Sequence, residues 1–221
     1  MAAAPETTWT PQRWERYAPW TGVGAVVLFV AGVFVFEGLG DTPGGEATAE
    51  QYLTFFRDEE TTIWIGAWLF FLGIFLFLWF LGSLRASLHW AEGGVGRLAS
   101  VAHAGGLGAA LLTATSIGTQ VSGTIAASDD RNLSAQAAET LWWVADGIFV
   151  TGTFFLAALY AATAIVALRT RVLPLWLGIV SAIFAVVSLV PFVSWAVLFF
   201  GTPVWILVVA VWLATRRPAA A

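Results

Sequence analysis

The chain has 221 residues, 59% of them hydrophobic and 11% charged, with a net charge of −4. A water-facing domain carries about 25% charged residues, so these charges cannot cover a soluble surface, and they sit in short clusters between long apolar runs. Cys and Lys are absent, Met1 is the only Met, and His89 and His103 are the only imidazoles, which excludes disulfides, cysteine metal sites, lysine Schiff bases and a Walker-type phosphate loop.

The expected fold class is all-α, a polytopic transmembrane helical bundle. Each span needs about 20 apolar residues, and the sequence places about six. Residues 1–19 read as a cytoplasmic segment with a short interfacial helix over 10–18, Thr10 as its N-cap and Pro11 in its first turn. The spans follow at about 20–38, 62–82, 98–126, 141–168, 172–190 and 196–215, and 216–221 form a cytoplasmic tail. The first run has a polar, Trp-rich lead and no small-x-small site after it, so it reads as a retained span. The stretch 172–215 must turn between Pro191 and Pro203, since proline breaks a helix ladder. Four spans plus a buried hairpin is the rival count.

Orientation follows from the alternating loops. Arg13 and Arg16, Arg85 and Arg97, Arg169 and Arg171, and Arg216 and Arg217 alternate with Asp41, Glu46, Glu50, Asp58, Glu59 and Glu60, and with Asp129, Asp130 and Glu139. Arginine excess marks the cytoplasmic side. Six spans with both termini inside put every arginine pair there. Trp14, Tyr17, Trp20, Trp64, Trp142, Trp143 and Trp176 fall near the expected interfaces, where amphipathic rings settle.

Between spans one and two, Thr48 and Gln51 have capping-box spacing. The helix they open carries Tyr52, Leu53, Phe55 and Phe56, which lie on the outer leaflet or lid the bundle. Span three repeats a small residue every fourth position: Ala102, Gly106, Ala110, Ala114, Gly118, Ser122 and Ala126. Small residues let helix backbones approach, so this helix is expected at the bundle centre. The same strip could line a pore or form a homodimer face.

Ionisable residues inside a span are expensive and functional by default. Glu37 closes span one, Asp146 lies in span four and His103 in span three, with the uncharged Gln120 in the outer half of span three. Glu37, Gln120 and Asp146 fall at similar depth and could form a cation or proton site. Snorkelling is the plain alternative for Glu37, a structural hydrogen bond for Asp146, and a core role for His103. Thr153 and Tyr160 follow Asp146 at seven-residue intervals, on one helix face. Gly93, Gly94 and Gly96 lie in a loop without a phosphate-binding pattern. No catalytic or metal-ligand motif and no cofactor signature is present.

The segment FLWFLGSLRASLHWAEGG leading into LASVAHAGGLGAALL, the outer TAEQYLTFFRDEETTIW and the LPLWLGIV opening of span five resemble an uncharacterised family of six-span membrane proteins common in actinobacteria. The resemblance implies a similar fold and no activity. The lack of Lys beside abundant Ala, Gly and Arg also points to a GC-rich bacterial genome, and hence to the bacterial plasma membrane. The expected role is non-enzymatic: binding, assembly or membrane support, with the lipid bilayer as partner, a homo-oligomer or another membrane protein as further ones, and no nucleic acid. The alternatives are a small proton- or cation-coupled transporter using Glu37 and Asp146, and a lipid-binding protein or membrane enzyme with an outer-leaflet pocket roofed by Tyr52, Phe55 and Phe56.

Overall fold

The computed structural model describes residues 17–38, 42–128 and 133–215, the side chains of Glu37 and Gly38 excepted. Residues 10–16 of the expected interfacial helix, the loop 129–132 and the tail 216–221 lie outside them. The described residues are all-α. After a 3-10 turn at Ala18–Trp20 come α1 (Thr21–Gly38), α2 (Ala49–Asp58), α3 (Glu60–Glu92), α4 (Arg97–Ser128), α5 (Ala135–Thr170), α6 (Leu175–Val187) and α7 (Pro191–Thr215).

Five of these helices are long and apolar enough to cross a membrane: α1 with its leading turn, α3, α4, α5 and α7. The fifth expected span, 172–190, is realised as the 13-residue helix α6. At 1.5 Å per residue that is about 20 Å, against about 30 Å of hydrocarbon. Pro174 caps its start and Pro191 follows its end, and neither can continue a helical ladder.

Helices α1, α3, α4 and α5 run alternately antiparallel. Gly22 of α1 lies against Phe80 of α3, while Gly66 of α3 lies against Phe36 of α1. Gly106 of α4 meets Leu81, Gly105 meets the α5 backbone at Leu159, and Gly178 of α6 meets Leu168 of α5. Gly201 of α7 meets Phe184 of α6, and Gly22 meets Ala210, which brings α7 back onto α1. One end of the bundle therefore carries Arg85, Arg97, Arg169 and Arg171, and is called here the arginine end. The other carries α2 with Glu46, Glu50, Asp58, Glu59, Glu60 and Glu139, opposed by Arg57; it is the capped end. At the arginine end α3 turns into α4 through Gly93, Gly94 and Gly96, all at positive φ. A side chain on Gly96 would be strained at its φ of 63° and would collide with the His89 ring. Glu92 closes that turn by accepting from the amides of Leu98 and Ala99, at 3.0 and 2.9 Å.

Helix α7 is not uniform. Val197–Gly201 is a π-helical turn between Pro191–Ala196 and Thr202–Thr215. Pro203 has no amide hydrogen for the carbonyl of Phe199 four residues back, and its ring would crowd that carbonyl, so the turn widens. The Thr202 amide instead bonds to the Val197 carbonyl.

The buried residues form two cores. The larger fills the body and includes Phe80, Leu81, Leu84, Leu156, Tyr160, Trp205 and Val209. The smaller sits at the capped end and joins Phe36, Tyr52, Phe55, Phe56, Ile63, Ala67, Val121 and Ala138. Around the body, Phe34, Trp68, Phe75, Ile183 and Val186 are exposed. An apolar belt of this kind suits acyl chains and not water.

Of the small-residue strip in α4, Ala102, Gly106 and Ala110 are buried, Ala114, Gly118 and Ala126 are half-buried, and Ser122 is exposed. The closest approach to a neighbouring backbone lies one row over. A Cβ on Gly105 would sit 2.6 Å from both the Leu159 nitrogen and the Phe155 carbonyl oxygen, whereas one on Gly118 would meet nothing within 4 Å. The strip thus packs near the arginine end and opens toward the cap.

Candidate functional site

Between the two cores lies a cleft of about 200 Å³. Val33 and Phe36 of α1, Phe70 of α3, Thr113, Ser116, Ile117 and Gln120 of α4, Trp142, Asp146 and Phe149 of α5, and Phe199 of the π turn line it. Helix α6 does not reach it. With Gly178 opposite Ala167 and Leu168, the end of α6 falls level with Ala158 and Leu159, roughly three helical turns short of Asp146. Beyond the end of the short helix Asp146 is exposed.

The roof is aromatic. Trp142 pairs with Tyr52 at 5.3 Å and edge-on with Phe55 at 5.6 Å, and Phe36 meets Phe55 at 6.1 Å. Helix α2 is held by the Thr48 amide donating to Gln51 Oε1 at 2.7 Å, the expected half of a capping box. Tyr52 donates to the Gly44 carbonyl at 3.2 Å. Burial, and then the Glu139 carboxylate, push its phenol up, so it keeps its proton and its donor role. The aromatics expected to lie on the leaflet or lid the bundle are packed down as a lid, with Tyr52 and Phe56 fully buried.

Gln120 is 23 residues from Arg97 and Asp146 is 23 from Arg169. Along straight helices each separation is about 35 Å. If the arginines mark the far boundary of a layer about 30 Å thick, both polar groups reach headgroup depth. Asp146 and Gln120 have no hydrogen bond or ion pair among the described residues. Ser116 has one: its Oγ donates to the Ala145 carbonyl at 2.8 Å and pins α4 to α5 beside the cleft.

Of the polar residues singled out in the sequence, Gln120 and Asp146 therefore meet in one site. Glu37 sits in the last turn of α1, and its side chain is outside the described residues. Thr153 bonds the Val150 carbonyl of its own helix at 2.7 Å. Tyr160 donates to Thr202 Oγ1 at 2.7 Å, and Thr202 donates to the Val197 carbonyl at 2.9 Å. That chain ties the π turn to α5 and makes Tyr160 a structural residue. His103 is half-buried, its Nδ1 has no partner among the described residues, and it lies about 25 Å along α4 from Gln120. It shares nothing with the cleft.

Thr113, Ser116 and Phe199 were not anticipated. The usable signal for Phe199 was Pro203 four residues later, the spacing at which proline deprives a carbonyl of its donor. Phe199 then packs on Phe149 at 5.3 Å and closes one wall. No family model, curated protein or solved structure matches the chain.

Proposed function

We propose that the chain is a six-span bacterial plasma-membrane protein with both termini in the cytoplasm, acting as a non-enzymatic binding protein whose ligand occupies the cleft beneath α2. One observation carries the binding role: a carboxylate without a partner among the described residues stands in a cleft walled by five aromatic rings. Such a mix of apolar wall and few polar groups is the usual make-up of a ligand site. Among the described residues the lining offers one carboxylate, one amide and two hydroxyls, and one hydroxyl is committed to a backbone carbonyl. Acid–base catalysis needs positioned proton donors and acceptors, and this set is poor in them.

The arginine end is taken as cytoplasmic by arginine excess. Helix α6 with its flanks, 172–190, is taken as the fifth crossing, its shortness met by local thinning of the bilayer.

The second reading, a proton- or cation-coupled transporter, draws support from the cleft's reaching Asp146. Against it, Leu81, Leu156, Tyr160 and Trp205 fill the body below, none more than 2% exposed.

The chain has no Cys, so single cysteines report cleanly. Glu50→Cys should label with an impermeant maleimide in intact cells, and Trp90→Cys only after permeabilisation; the reverse pattern overturns the orientation. In proteoliposomes the protein should raise neither proton nor cation uptake above that of empty vesicles. An uptake abolished by Asp146→Asn replaces the binding reading with the transport one.

A further inference from the structure

Resting on the binding reading, we infer that the ligand is an amphiphile with an ammonium head, an amine-bearing membrane lipid, whose head enters the cleft from the bilayer. Three features point the same way. The first is charge: the Asp146 carboxyl group meets no cation among the described residues. The second is the wall around it. Phe36, Phe70, Trp142, Phe149 and Phe199 surround the space, and ring faces attract ammonium groups, most strongly away from water. A phosphate or carboxylate ligand would face Asp146 with no Arg among the described lining residues.

The third is position. Asp146 and Gln120 reach headgroup depth, while Phe149, Phe199 and Phe70 lie nearer the arginine end. A lipid arriving sideways places its head and its first methylenes in that same order. The access is at Asp146 itself, which is exposed beyond the end of α6. Deeper along the same face Tyr160 donates to Thr202 of α7. The size fits a head and not a whole molecule: about 200 Å³ is below the roughly 300–1,000 Å³ of pockets that enclose drug-sized ligands. The chains would remain in the bilayer.

The test uses the full chain with Thr113→Cys, a lining position, in nanodiscs of phosphatidylglycerol or phosphatidylethanolamine. The labelling rate by a small neutral thiol reagent is the readout. Phosphatidylethanolamine should slow labelling at least fivefold relative to phosphatidylglycerol, and Asp146→Asn should remove that difference. In phosphatidylglycerol discs, added dodecyltrimethylammonium should protect and dodecyl maltoside should not. Equal protection by the neutral amphiphile overturns the ammonium head while the binding reading stands. Protection by soluble tetramethylammonium but by neither amphiphile overturns the lipid source. No labelling in either disc, with Glu50→Cys labelling normally as the control for fold, means the cleft is closed, and the binding reading falls with the inference.

Discussion

The body and the cap solve the same packing problem in different solvents. The body core is built by close backbone approach: Gly105 against the α5 backbone, Gly106 against Leu81, with Ala99, Ala102, Ala109 and Ala110 buried nearby. Some of its polar groups bond internally, as in the Trp205 indole donating to Ser181 Oγ at 2.9 Å and Ser181 to the Leu177 carbonyl at 2.8 Å. The cap core uses large rings from a short amphipathic helix, Tyr52, Phe55 and Phe56, against Phe36 and Trp142. In lipid, helices gain little from hiding apolar surface and associate through contact and hydrogen bonds. At the capped end α5, 36 residues or about 54 Å long, outreaches the hydrocarbon, and hiding apolar surface from water is the main gain. The cleft lies where one regime gives way to the other.

The sharpest way to break this contrast is a matched pair. Phe56 of the cap and Phe80 of the body are both fully buried. In the cap, Phe56→Ala loses transfer energy as well as leaving a cavity, an expected loss of about 3–5 kcal/mol. In the body, the unfolded reference is already in lipid, so Phe80→Ala loses mainly contact, roughly half as much. Hydrogen exchange over residues 42–60, and steric-trap unfolding for the body, measure the two. Equal losses would mean that both cores face the same solvent.

Backbone approach gives the next effect. Gly105→Ala forces α4 and α5 apart and should destabilise by about 1–3 kcal/mol. Gly118→Ala meets nothing and should instead stabilise its helix by about 0.5–1 kcal/mol. Thermal midpoints in one detergent separate them, and a loss at Gly118 would show that the open half of the strip binds a neighbour, as a homodimer face would.

Much of this was legible in the sequence and some was not. Five of the expected spans reappear in α1 with its leading turn, α3, α4, α5 and α7, because unbroken apolar runs have few other ways to bond their backbone in lipid. The helix of the lid was legible through Thr48, Gln51 and the aromatics after them; that it packs on the bundle and not on the leaflet was not. The limit of α6 was marked by Pro174 and Pro191, yet composition alone reads 172–190 as a full span, since hydropathy counts residues and not helical rise. Which strip of α4 makes the close approach was not legible either. Ala102, Gly105, Gly106 and Gly108 are all small, and the choice belongs to the α5 backbone opposite. Asp146 and Gln120 were placed at one depth by counting, but that they share a space depends on how α4 and α5 face one another across the cleft.

The smallest expected effect tests whether the cap governs the cleft. Gln51 is exposed and holds the start of α2 through a single hydrogen bond from the Thr48 amide. Gln51→Leu keeps the size of the side chain and removes the acceptor. A bond of this kind contributes about 0.5–1 kcal/mol net, which is roughly a two- to fivefold change in an opening equilibrium at 1.4 kcal/mol per decade. Opening of α2 lifts Phe55 and Tyr52 off Trp142, the roof of the cleft. Labelling of Thr113→Cys should therefore rise by that same small factor, together with amide exchange at the start of α2. If exchange rises while labelling does not, ligand traffic passes only through the gap beyond α6, and the cap is a fixed wall.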